Sequence, residues 1–145
     1  MKTVVAYYSL GGTCRKLAEA RAKTLGAPII AVEEVRKRNF LAALLVGCPQ
    51  AIKQQPSAVK PISDKVASCD RLVVFAPVWG GMPAPAFNSL VSTLRSGQEV
   101  EVVLVSGGGT SKAEAKVRAQ LEAKGVKLLS FTDVKAPAKP KEPKK

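Results

Sequence analysis

The sequence predicts a single α/β domain built around a parallel sheet, and three observations predict it. Short apolar runs of strand character alternate with segments of helical period. Each run is bounded by turn signals rich in glycine or proline. The length, 145 residues with 46% hydrophobic side chains, suits one core of ordinary size and argues against global disorder.

Strand one is expected over residues 3–8, Thr-Val-Val-Ala-Tyr-Tyr. Helix one follows over 13–25, with Cys14, Leu17, Ala18, Ala22 and Leu25 on one face and Gly26 as its stop. Strand two is expected over 28–32. Asn39 suits an N-cap for a helix running to about Cys48, whose apolar stripe would be Phe40, Leu41, Leu44, Leu45 and Cys48. Gly47 and Pro49 should kink or end that helix, leaving 51–54 as a separate turn, and Pro56 and Pro61 mark a loop.

Strand three is expected over 71–76. Helix three begins near Pro85, a favoured first-turn position, and places Phe87, Leu90, Val91 and Leu94 on one face. Strand four covers 99–105, helix four runs from about 111 to 123 before Gly125, and strand five covers 126–131. The ordered domain is thus 1–132. Residues 133–145, with Pro137, Pro140, Pro143 and five lysines, read as a disordered basic tail.

Composition removes several function classes. No apolar run reaches the length of a membrane span, and the apolar start of the chain ends in a Gly-rich turn rather than a cleavage site. The chain has no histidine, and Cys14, Cys48 and Cys69 form no CxxC pattern, so a zinc site and a histidine-activated nucleophile are both ruled out. Widely spaced free thiols point to the cytoplasm. The net charge is +12, of which residues 1–132 contribute 18 − 9 = +9 and the tail 5 − 2 = +3.

Three strands end in loops of similar character, where open parallel sheets bind ligands. After strand one, Ser9-Leu10-Gly11-Gly12-Thr13-Cys14 opens helix one, offering hydroxyls, inward amides and the positive helix end to a phosphate. It lacks both the Walker lysine and the Gly-x-Gly-x-x-Gly fingerprint, so a monophosphate fits better than a dinucleotide. A bare tight turn is an equal reading of that loop alone. After strand three comes Ala76-Pro77-Val78-Trp79-Gly80-Gly81-Met82-Pro83, with the only tryptophan beside glycines that leave room for a flat ring. Offset stacking on such a ring contributes about 0.5–1.5 kcal/mol beyond burial. After strand four, Ser106-Gly107-Gly108-Gly109-Thr110 spends backbone entropy that close approach of a ligand would offset. A cysteine phosphatase is rejected, because Arg15 follows Cys14 directly and Cys-x5-Arg is absent.

With these loops together, the sequence resembles the flavodoxin family over nearly all of the ordered chain. Val-Val-Ala-Tyr-Tyr-Ser-Leu-Gly-Gly-Thr at 4–13 resembles that family's phosphate loop, residues 76–85 its second loop and 105–109 its third. The resemblance implies a five-stranded parallel sheet in the order 2-1-3-4-5 with helices on both faces. It also implies FMN, with Ser9, Gly11 and Thr13 at the phosphate and the second loop cradling the isoalloxazine. Electron transfer between redox partners is the activity it implies. The alternatives are an FMN-dependent NAD(P)H:quinone or flavin reductase, or a basic module that binds nucleic acid or another polyanion without flavin. With aromatics at 5% and no nucleic-acid motif, the polyanion reading ranks last.

The chain departs from that family in three ways. Gly12 stands where asparagine is frequent, the charge is basic rather than acidic, and a Lys/Pro tail replaces the final helix. Right-handed crossovers then leave part of one sheet face uncovered, which parallel sheets rarely tolerate. A partner, most simply a second copy, is expected to cover it. Basic charge also implies acidic redox partners met by electrostatic steering.

Overall fold

The computed structural model describes residues 2–36 and 39–137, apart from the side chains of Phe40 and Leu44. Its elements are β1 (Thr3–Tyr7), α1 (Thr13–Leu25), β2 (Ile29–Ala31), α2 (Phe40–Ala42), α3 (Cys48–Ile52), α4 (Asp64–Ser68), β3 (Arg71–Trp79), β4 (Met82–Pro83), α5 (Pro85–Val91), β5 (Glu99–Ser106), α6 (Glu114–Glu122) and β6 (Lys127–Lys135). The main sheet runs β2-β1-β3-β5-β6 with every pairing parallel, and the short β4 pairs antiparallel with the end of β3. Setting β4 aside, this is the expected 2-1-3-4-5 order. No described helix is long and apolar enough to cross a membrane.

The middle strands are buried because both their faces are covered. β3 carries the continuous apolar run Leu72, Val73, Val74, Phe75, Ala76, as a central parallel strand should. On one face Leu72, Val74, Val100, Val102 and Leu104 pack with Phe87, Leu90, Val117 and Leu121 of α5 and α6. On the other, Val5, Val73, Phe75 and Val105 pack under Cys14, Ala18 and Ala22 of α1. Helix three's expected stripe is buried throughout, Leu94 included.

The expectations for residues 39–54 need correction. Asn39 is the cap, its Oδ1 accepting the Ala42 N–H at 2.8 Å. Yet the helix does not break at Gly47 or Pro49. A π-helical turn, Ala43–Gly47, joins α2 to α3, and Pro49 falls just past it at the start of α3. The residues turned inward are small ones, Ala43, Gly47 and Ala51, while Leu41 and Leu45 are exposed. Of the expected stripe, the side chains of Phe40 and Leu44 lie outside the described residues.

Other differences are extensions. α4 was not expected; Ser63 caps it by accepting the Lys65 N–H at 3.3 Å. β3 runs on to Trp79 and β6 to Lys135, each past its expected end. Residues 133–135, expected in the disordered tail 133–145, are therefore strand, and of that tail 138–145 lie outside the described residues.

Among the described residues no helix follows β6, and the sheet face beside α1, at β3, β5 and β6, carries a polar strip. Arg71 and Arg21 meet Glu101 at 2.7 and 3.5 Å, and Ser130 donates to the same carboxylate. A bulge between Val100 and Glu101 resets the register with β6, so that Leu129 has no partner residue opposite it. A charged, hydrogen-bonded strip thus stands where apolar side chains would need a cover.

Burial also defines Cys14. Its thiol is 3% exposed beneath α1, and desolvation pushes its pKa up to about 12. In the unfolded chain it ionises from about pH 9, so the folded state holds the extra proton between those values. Stability from this group is therefore full below pH 9 and falls as pH rises toward 12. Urea unfolding at pH 7 and pH 10 should show an alkaline loss that Cys14→Ala reduces. In the native protein the half-exposed Cys48 should be alkylated before Cys14.

Candidate functional site

The sheet order places the three loops side by side. β1, β3 and β5 are consecutive parallel neighbours, so their carboxyl ends share one edge, at the point where the winding reverses between β1 and β3. The first loop, residues 9–12, turns into α1 with Gly12 at φ 91°, a conformation that side chains disfavour, and the Ser9 Oγ accepts the Gly12 N–H at 2.8 Å. No acidic residue lies in the first turn of α1. The first-turn amides therefore face the loop mouth with the positive end of the helix behind them.

Of the loop's other expected residues, Leu10 is 37% exposed and Thr13 half-buried. Cys14 turns its side chain into the core, so only its backbone N–H is available to a ligand.

The second loop is a hairpin rather than an open coil. Val78 pairs with Pro83 and Trp79 with Met82, across Gly80 and Gly81 at φ 64° and 88°, the conformation of a type I′ turn. The Ala84 N–H closes it on the Pro77 carbonyl at 3.0 Å. A Cβ on Gly80 would come within 2.9 Å of the end of the Ile52 side chain on α3, which would have to shift, and its φ of 64° favours glycine in any case. Trp79 is 9% exposed, and its indole meets the Tyr8 ring edge-on at 5.7 Å and 79°. It is packed in the core with Tyr8, which directly precedes the first loop.

The third loop repeats the first. The Ser106 Oγ accepts the Gly109 N–H at 2.9 Å, the same serine-to-third-residue bond that Ser9 makes. The Lys112 N–H donates to the Gly81 carbonyl at 3.0 Å, tying the third loop to the hairpin. The glycines then divide into two kinds. Gly109 is pressed against Lys135, where a Cβ would fall at 3.0 Å. Gly11, Gly12, Gly107 and Gly108 face open space, with nothing within 4 Å of a Cβ. Those open glycines, the helix terminus and the serine hydroxyls are what a flat phosphorylated ligand needs, so the residues present fit FMN.

A second feature escaped the sequence reading. A cleft of about 540 Å³ lies between the first loop and the end of β2, lined by Tyr8, Arg15, Glu33, Glu34 and Lys60 among others. The Tyr8 hydroxyl donates to the buried Glu34 carboxylate, and Lys60 pairs with Glu33 at 3.2 Å. The pairing of β1 with β2 was the available signal, since it brings Tyr8 and Glu34 to one edge. The approach of Lys60, across the Glu34–Val59 bridge, had no signal in periodicity.

Comparison with known proteins agrees with this geometry. The flavoprotein of Lactobacillus acidophilus NCFM in complex with FMN superposes with TM-score 0.74 at 19% identity, covering 90% of this chain and 91% of that one. Its apo form gives 0.62 at 21% identity over 91% and 92%. Oxidised flavodoxin 1 from Bacillus cereus gives 0.57 at 13% identity over 96% and 87%. At these identities the likeness is one of fold. A comparison with curated proteins returned no match. The family model for NADPH-dependent FMN reductase matches residues 1–138. The chain therefore belongs to the NADPH-dependent FMN reductase family, flavodoxin-like in fold and with FMN as its cofactor.

Proposed function

We propose that this protein uses FMN to pass electrons between redox partners in the cytoplasm. The observation that carries the reading is the make-up of the three loops. Residues 9–13, 77–81 and 106–109 contain no ionisable side chain, only hydroxyls, glycines, one indole and the aliphatic Leu10, Pro77 and Val78 beside the backbone amides. Such a site positions a cofactor and needs no acid or base of its own, because the flavin supplies the redox chemistry. The first-turn amides of α1, with Ser9 and Thr13, would hold the phosphate. Gly107 and Gly108 would let the ring approach the third loop, and Trp79 would border it, held edge-on by Tyr8. The surrounding charge of +12 favours acidic partners and speeds their encounter.

The second reading, an NADPH-dependent reductase, is favoured by the description of the family model. The two separate in one experiment. Under anaerobic conditions a carrier keeps its visible flavin spectrum when NADPH alone is added, and bleaches only when a separate reductase is present. Bleaching by NADPH alone, at rates fit for turnover, would establish the reductase. A homodimer through the bare sheet face belongs to the same reading. Its support is the half-buried Val103 and Val134 beside the ion pairs. Sedimentation at tens of micromolar tests it.

Substitution tests the cradle. Gly11→Val puts side-chain carbon where the fold leaves open space, so FMN affinity should fall at least tenfold with little change in urea midpoint. Ser9→Ala removes one hydrogen bond, worth about 0.5–1.5 kcal/mol, and should weaken FMN by no more than about tenfold. Fluorescence titration of the apoprotein with FMN reads both. Wild-type affinity in both variants would move the phosphate away from this loop.

A further inference from the structure

The helical segment from Phe40 to Ile52 is turned the wrong way round for packing alone. Among its described side chains the small Ala43, Gly47 and Ala51 are buried, and the large aliphatic ones face water: Leu41 60% exposed, Leu45 64%, Val46 54% and Ile52 51%. The inner side packs on the core, with Ala43 and Ala51 inside it and Cys48 against it. Ile52 also touches the hairpin at Gly80, but nothing in the fold requires leucine or valine at 41, 45 and 46 on the outer side. Together they make an apolar patch larger than the scattered single residues of an ordinary surface.

Charge indicates what covers it. In sequence the patch is preceded by Arg36-Lys37-Arg38 and followed by Lys53, and residues 35–63 contain five basic side chains and no acidic one. Arg36 and Lys53 are exposed. Two copies of the chain meeting through this patch would bring like charges together on molecules that already carry +12. An aliphatic ridge flanked by basic residues suits instead a surface that is apolar at depth and anionic at its rim.

We propose that this segment docks the protein on anionic lipid bilayers, with Leu41, Leu45, Val46 and Ile52 entering the headgroup boundary and the flanking basic residues meeting acidic headgroups. Docking through α3 sets the hairpin that carries Trp79 close to the membrane surface, since Ile52 packs on Gly80. The inference does not depend on whether the flavin serves as carrier or reductase.

The test is co-sedimentation of the full FMN-loaded protein with vesicles of phosphatidylcholine, with and without 30 mol% phosphatidylserine (~30, a mixture rich enough in anionic lipid to attract basic segments). The expected result is binding at least tenfold tighter to the anionic vesicles, weakened at least tenfold by Leu45→Glu at unchanged flavin content. Replacing Lys139, Lys141, Lys144 and Lys145 of the tail by glutamine should weaken it less. Equal binding to neutral vesicles, no effect of Leu45→Glu, or complete loss with the tail variant would overturn the proposal. So would a wild-type dimer that Leu45→Glu dissociates, or binding to soluble polyglutamate as tight as to vesicles.

Discussion

The parallel pairing of β3 with β1 on one side and β5 on the other is the constraint on which the rest depends. Five residues of β1 and seven of β5 stand in unbroken register with β3. Because all three strands point the same way, their exits fall on one edge, and three loops far apart in sequence become neighbours there. If β3 slipped by one residue, Val73 and Phe75 would exchange faces with Leu72 and Val74, and both cores would lose their packing at once. The cradle is thus held in place by apolar burial deep in the sheet rather than by contacts within the loops.

On that frame the loops are stiffened by a few local bonds. Ser9 and Ser106 each accept the amide of a glycine three residues on, so both turns are shaped before any ligand arrives. The hairpin between them is fixed by its own ladder and by the Lys112–Gly81 bond. A site prepared in this way loses little conformational entropy on binding, which is the main route by which preorganisation raises affinity.

Much of this was legible in the sequence. Strand alternation with helical segments identified the sheet, the three Gly-rich strand exits do fall together along one edge of it, and helix one, expected from Thr13 to about Leu25, spans those residues. What failed did so for physical reasons. The outward Leu41 and Leu45 obey helical period, but period cannot say which side of a helix meets the core, and here the side carrying Ala43 and Ala51 does. Gly-Gly after Trp79 was read as room for a ring, although two glycines between strand-forming residues are also the signature of a tight hairpin. The polar strip on the open face depends on Arg21 reaching Glu101, eighty positions away, and no local pattern carries that information.

The bulge in β6 has a consequence for the chain's life at high concentration. An outermost strand of nine residues offers its free amides and carbonyls to any extended segment that drifts past. The extra residue at Leu129 throws the ladder out of step partway along, and lysines stand at both ends of the strand. An incoming strand can align with one half or the other but not with both. The irregularity that accommodates Glu101 within one molecule therefore also discourages fibre growth between molecules.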